Sequence, residues 1–140
     1  MDNEDDFLFE ESLDDISFTV SEPDDQPLSI SIDICNGSPL NPKDFIGAHF
    51  NINSIRALGR LDQLNHISNI LNLDYIIINE SKLDETVPNN LIALDRFHEP
   101  IRKDRDINGG GCLVYVSKHL TFKRQQKFES VHFEHIWVDI

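Results

Sequence analysis

The chain has 140 residues, 25 Asp+Glu against 12 Lys+Arg, a formal net charge of −13 and two cysteines, which bounds it to about one domain and excludes a disulfide framework or a Cys-x-x-Cys motif. The acidity is local: residues 1–44 carry 13 acids and one base, Lys43, for a net of −12, while residues 45–140 carry 12 acids and 11 bases, for a net of −1. The protein is therefore not one acidic globule, and the overall charge is no objection to a nucleic-acid ligand for its larger part.

The N-terminus, Met-Asp-Asn-Glu-Asp-Asp, is the opposite of a basic signal or transit peptide. No apolar run approaches the ~20 residues of a membrane-spanning helix. The expectation is an intracellular protein, nuclear or cytoplasmic, without contact to a membrane. Residues 1–44 read as a disordered acidic arm: acids are dense, Pro23, Pro27, Pro39 and Pro42 punctuate them, and such a segment buries too little apolar surface to offset its ordering entropy. Phe7, Leu8, Phe9, Leu13, Ile16 and Phe18 interleave with the acids. They fit either a solvated linker or a short segment that folds on a partner.

From Phe45 the pattern changes. Phe45-Ile-Gly-Ala-His-Phe50 is a short β-rich run. Leu58, Leu61, Leu64, Ile67 and Leu71 then recur at spacings of three and four, one apolar helical stripe, with Gly59 expected to weaken the helix by about 1 kcal/mol relative to Ala. Tyr75-Ile-Ile-Ile78 reads as a strand covered on both faces. Strand, helix and strand within about 35 residues make a crossover unit with a parallel pair. Beyond it, Lys82 to Leu94 reads as a loop with a helical turn opened by Val87-Pro88, in which Leu91, Ile92 and Leu94 can bury. Asn108-Gly-Gly-Gly111 is a turn, and Cys112–Val116 a strand. Thr121–Phe128 is an exposed strand or hairpin arm, and His135–Ile140 a last strand.

Ligands gather at the carboxyl ends of parallel strands. Asn51 and Asn53 close the first strand there, and Asn79-Glu80 the second. An acid just past four apolar residues, with Asn79 between, suits a hard cation, because Mg²⁺ takes one or two carboxylates and keeps its waters. A neutral amide beside it can orient a phosphate or a water. The same residues also read as Asx-type strand ends and a solvated loop acid, and residue chemistry alone leaves both readings open.

Four strings occur in order: His49-Phe-Asn-Ile-Asn-Ser-Ile55, Asp74-Tyr-Ile-Ile-Ile-Asn-Glu-Ser-Lys-Leu-Asp84, Arg102-Lys-Asp-Arg105, and Gly109-Gly-Gly-Cys-Leu-Val-Tyr-Val116. Together they resemble the endonuclease/exonuclease/phosphatase family, most of all the endonuclease domain of non-LTR retrotransposon polyproteins. The resemblance covers Phe45 to Ile140. It implies an α/β fold in which two β-sheets pack face to face with helices outside, and Mg²⁺-dependent hydrolysis of a DNA phosphodiester. It implies Asn51 as the active-site asparagine and Glu80 as the metal-binding glutamate, with Ser81 in place of the usual Thr. Asn53 falls where some members carry a metal-contacting Asp. Arg102, Lys103 and Arg105 match the basic stretch before the triple glycine, where phosphate contact is one reading and a solvated turn the other.

The family's later elements, a Tyr, an Asp-x-Asn motif and a terminal Asp-His pair, are expected beyond Ile140. None of the six His residues substitutes for that pair. The expectation is thus an acidic arm, 1–44, and the N-terminal part of an incomplete two-sheet sandwich, 45–140, of retrotransposon origin. Such a chain is inactive as it stands, and DNA would be its partner only in the complete domain. The alternatives are a non-catalytic interaction protein using the acidic arm, whose partner the sequence does not name, and a non-functional remnant.

Overall fold

Two apolar runs separated by an amphipathic stretch close into a parallel strand pair. In a computed structural model of the protein, residues 29–31 and 45–140 are described. In chain order they form β1 (Ser29–Ser31), β2 (Gly47–Asn51), helix α1 (Arg60–Ile70), β3 (Tyr75–Asn79), a 3₁₀ turn (Asn89–Ile92), β4 (Ile101–Lys103), β5 (Cys112–Val116), β6 (Lys123–Arg124), a second 3₁₀ turn (Gln126–Phe128) and β7 (Val138–Asp139). The architecture is mixed α/β. One sheet has the order β1-β2-β3-β5-β4, and β6 and β7 make a separate two-stranded ribbon. β2 and β3 run parallel, with Gly47 opposite Tyr75 and Asn51 opposite Asn79. β5 is antiparallel to β3, β4 to β5, and β1 to β2. Three residues of the expected arm, Ser29–Ser31, are therefore an edge strand; the rest of that expectation, 1–28 and 32–44, lies outside the described residues.

Ala48 and Phe50 of β2, Ile76 and Ile78 of β3, and Leu113 and Tyr115 of β5 lie in register on one face and are all buried. Leu64 is buried in the same core, and Leu61, Ile67 and Leu71 pack partly against it. Burying a leucine such as Leu64 stabilises the fold by about 1.5–3 kcal/mol. Leu58, the first member of the expected stripe, is 90% exposed. The reason is Gly59, which is not inside the helix but at its N-cap, with φ +75°; the left-handed residue turns the chain before the helical register starts. Gly59 thus serves the entry to α1, where its lack of a Cβ removes strain.

Three further expectations are corrected. β3 is covered on one face only: Ile76 and Ile78 are buried, but Ile77 is 38% exposed, because the helix and the loops after β3 cover one side of the sheet. Of Leu91, Ile92 and Leu94, the last two are buried and Leu91 is exposed, since the 3₁₀ turn sends successive side chains to different sides. The last strand is also shorter than its apolar run, Val138–Asp139.

The amino end of the parallel pair is tied off by Asp74. Its Oδ2 accepts from Ile46 N–H at 2.7 Å, and its Oδ1 lies 2.9 Å from His119 Nε2. Its backbone donates to Ile46 O at 2.7 Å and accepts from Ser117 N–H at 2.8 Å. Ser117 Oγ and His119 Nδ1 are 2.7 Å apart. Hence β2, β3 and β5 are fastened together at this end. Nearby, Gly47 allows close approach: a Cβ there would fall 1.9 Å from Cζ of Tyr75, whose ring stacks on Phe45 at 4.9 Å.

Candidate functional site

The opposite end of the same strands is built differently. Where β2 and β3 stop, three loops are stitched by backbone hydrogen bonds: Ile52 N–H to Asn79 O, Ser54 N–H to Glu80 O and Ile55 N–H to Ser81 O join the first two, and Ser81 N–H to Gly111 O and Lys82 N–H to Gly110 O join the third. Within this junction Asn53, Ser54, Glu80 and Lys82 all have positive φ, at 46°, 86°, 55° and 51°. Among the described residues only Asn72 is another non-glycine residue in that region. Left-handed backbone costs a non-glycine residue roughly 1–2 kcal/mol and persists where the surroundings over-determine it, a condition concentrated at ligand sites.

The strain serves placement. Glu80 turns out of β3, and its Oε2 accepts from Gly110 N–H at 2.9 Å. No hydrogen bond among the described residues engages Oε1. Asn51 is the exposed last residue of β2, and its amide likewise has no partner among them. Asn53 Oδ1 accepts from Lys82 Nζ at 2.5 Å, which sets a positive charge where a metal would have to approach that amide. Ser81 is fully buried, and its hydroxyl finds no partner among the described residues.

The triple glycine is packed into the same junction. Gly110 and Gly111 have φ +72° and +81°. A Cβ on Gly110 would fall 2.7 Å from both carboxylate oxygens of Glu134, and one on Gly111 would fall 2.6 Å from Ser81 Oγ. Gly111 N–H donates to Glu134 Oε2 at 2.8 Å, and Arg105 Nη1 donates to Glu134 Oε1 at 3.1 Å.

The basic stretch splits. The Arg102 side chain is 12% exposed and spends its donors internally, on Val87 O, Asn89 Oδ1, Asp84 O and both oxygens of Asp104. In this arrangement it pins the 84–89 loop to β4 instead of reaching outward, because five donors on one plane can satisfy several carbonyls at once. Lys103 Nζ donates to Ser130 O. Arg105 is 58% exposed and is the member of the three that keeps an open guanidinium face. Asp106-Ile-Asn108, an Asp-x-Asn string, is an Asx turn in which Asn108 N–H donates to Asp106 Oδ1 at 2.8 Å.

The structure thus gathers Asn51, Asn53 and Glu80 at one loop junction, leaves Arg105 beside it, and assigns Arg102 to the scaffold. Sequence reasoning missed Glu134, 23 residues beyond Gly111; the signal available was an arginine four residues before the triple glycine, which marks a place for an anion. As a donor set, the free oxygen of Glu80 and the amide of Asn51 suit a cation that keeps most of its waters. Among the described residues no group of three or more His, Cys, Asp or Glu is placed to hold a metal ion. No family model matches the chain, and no curated protein is significantly similar to it.

Proposed function

We propose that residues 45–140 carry the Mg²⁺- and phosphate-facing part of a phosphodiesterase site of the endonuclease/exonuclease/phosphatase kind, most like the endonuclease of non-LTR retrotransposons, with DNA as substrate of the complete site. On this reading the β1–β5 sheet is one layer of a two-sheet sandwich, and its incompletely covered face, with Ile77, is the side turned to the second layer. The observation that carries the proposal is the junction at the carboxyl ends of β2 and β3, where left-handed backbone at Asn53, Ser54, Glu80 and Lys82 surrounds two strand ends, Asn51 paired with Asn79 and Glu80 just beyond, the latter with one carboxylate oxygen unengaged among the described residues. Strain of that sort is maintained for a ligand more readily than for a solvated turn.

Glu80 would hold the cation through its free oxygen, with Asn51 orienting a phosphate oxygen or a water. The cation would supply charge neutralisation of the phosphodiester. Asn53, engaged by Lys82, contributes through position more than as a ligand. In-line attack also needs a base, and no His is placed beside Glu80 by the hydrogen bonds described. The expected activity of this chain is therefore metal binding with little or no cleavage. No helix among the described residues is long and apolar enough to cross a membrane.

The test is Mg²⁺ titration of wild type and Glu80→Gln, followed by amide chemical shifts, alongside incubation of both with supercoiled plasmid. Binding on the order of millimolar that vanishes in Glu80→Gln is the expected result. Binding indifferent to Glu80, or none, overturns the reading. Nicking above the Glu80→Gln background would show that the base is supplied after all.

A further inference from the structure

The carboxylate of Glu134 sits where an anion belongs. One of its oxygens takes Gly111 N–H at 2.8 Å and the other takes Arg105 Nη1 at 3.1 Å, so a backbone donor and a guanidinium grip the two oxygens together. Neighbouring N–H groups in a left-handed glycine turn form an anion-binding concavity, and a guanidinium fork fits a carboxylate or a phosphate alike. The fit has no slack on the glycine side: a Cβ on Gly110 would lie 2.7 Å from both Glu134 oxygens and 3.0 Å from Arg105 Cζ.

A second, independent observation points the same way. Ser81 Oγ lies on the other side of this turn, 2.6 Å from where a Gly111 Cβ would be, fully buried and without a hydrogen-bond partner among the described residues. A buried hydroxyl left unpaired costs about 1–3 kcal/mol, so polar capacity is left over beside the turn among the described residues. Glu134 itself lies on an open stretch of surface: its side chain is 33% exposed, and Val131 and Phe133 are 90% and 68% exposed.

We infer that the Gly110–Gly111 turn with Arg105 is a phosphoryl-binding subsite, and that Glu134 is its built-in occupant, a carboxylate that must withdraw before a phosphate oxygen can enter. The ligand class is a tetrahedral phosphate group, either free or as the diester of a nucleic-acid strand. The subsite stands apart from the phosphodiesterase proposal, since it needs neither a metal nor cleavage. The two are nonetheless adjacent, because Gly110 N–H, the preceding donor of the same turn, is the one held by Glu80.

The experiment titrates inorganic phosphate, and separately a thymidine tetranucleotide, into wild type, Glu134→Gln, Glu134→Ala and Arg105→Ala, without divalent metal and with chloride at constant ionic strength. Amide shifts of Gly110 and Gly111 are the readout, and dispersion of the remaining amides confirms the fold of each variant. Removing the competing carboxylate is expected to tighten phosphate binding roughly tenfold in both Glu134 variants, and Arg105→Ala to weaken it roughly tenfold, the scale of one charge-assisted hydrogen bond. Response to phosphate alone assigns the subsite to a free or terminal phosphate; response to both ligands assigns it to the diester. No response in either Glu134 variant, affinity unchanged by Glu134→Gln and Glu134→Ala, or binding indifferent to Arg105 overturns the inference. Mg²⁺ is absent throughout, so failure of the Glu80 site cannot produce any of these outcomes.

Discussion

β3 is flanked by two acids, Asp74 and Glu80, and they have opposite fates. Asp74 at its start is 8% exposed and has both oxygens committed, to Ile46 N–H and to His119. Its backbone is regular, and its partners reach it from β2 and from the turn after β5. Glu80 just past its end has one oxygen committed, to Gly110 N–H, and holds a left-handed φ of 55°. A carboxylate whose oxygens are all satisfied by the protein is a fastening, and its removal costs stability. A carboxylate held in a strained backbone with an oxygen to spare gives the fold less, and on the proposed reading that oxygen is kept for a ligand.

The comparison can be broken by measurement. Asp74→Ala should lower unfolding free energy by about 2–3 kcal/mol, because a half-buried Ile46 N–H and His119 both lose their acceptor; urea denaturation reads this directly, and a loss below about 1 kcal/mol would place the fastening elsewhere. Next in size is Tyr115→Phe. The Tyr115 hydroxyl donates to Ile92 O at 2.6 Å in the buried core, and its removal should cost about 1 kcal/mol.

The same residue sharpens the contrast through pH. Burial pushes the Tyr115 phenol well above its ordinary value of 10.0. Burial, then the nearby charge of Glu134, pushes the Cys112 thiol above 9.0. The folded state therefore keeps protons that the unfolded chain releases, so stability is fully present below about pH 9 and falls as pH rises beyond it. Urea midpoints at pH 8 and pH 10.5 should show the fall, with Tyr115→Phe showing a smaller one. A flat or rising profile would contradict the burial of both groups.

Smaller again is Glu80→Gln. Its amide can still accept from Gly110 N–H, so stability should move by less than about 0.5 kcal/mol even as metal binding is lost. A large destabilisation would make Glu80 a second fastening and collapse the distinction. The smallest effect belongs to Leu58→Ala, where 90% exposure predicts a change within about 0.5 kcal/mol, despite the residue's place in the apolar stripe.

Leu58 also shows how sequence and fold parted. The crossover unit was legible because its two periodicities, 3.6 in α1 and a β-branched run in β3, are local and strong. The N-terminal limit of the helix was not, because Gly59 could be read as a weak interior residue or as a left-handed cap, and only the chain path decides. Asn51, Asn53 and Glu80 were legible as neighbours, since a parallel pair fixes which strand ends meet. Arg102 was not legible as a pin: its acceptors come from residues 84, 87, 89 and 104, and a basic residue before a glycine turn looks alike whether it faces inward or outward. β4 was hidden for a related reason, three residues being too few to show a period. Glu134 lay in a stretch without motif or periodicity, and its meeting with Gly111 is a product of tertiary folding alone.

The stitching of the three loops also has a temporal side. β2 and β3 can pair once the helix between them has formed, with partners 28 residues apart from Gly47 to Tyr75. Gly110, however, joins Glu80 only after β5 has docked on β3, and Glu134 reaches the turn later still in the chain. The separations are alike, 30 residues for Glu80–Gly110 and 23 for Gly111–Glu134, so the turn waits on the docking of other elements and not on a longer loop closure. The glycine turn is thus organised only once β5 and the Glu134 segment have docked, and it is surrendered when either lets go. In native-state hydrogen exchange, the amides of Gly110 and Gly111 should lose protection ahead of the β3 amides that lie only a few residues from them in space.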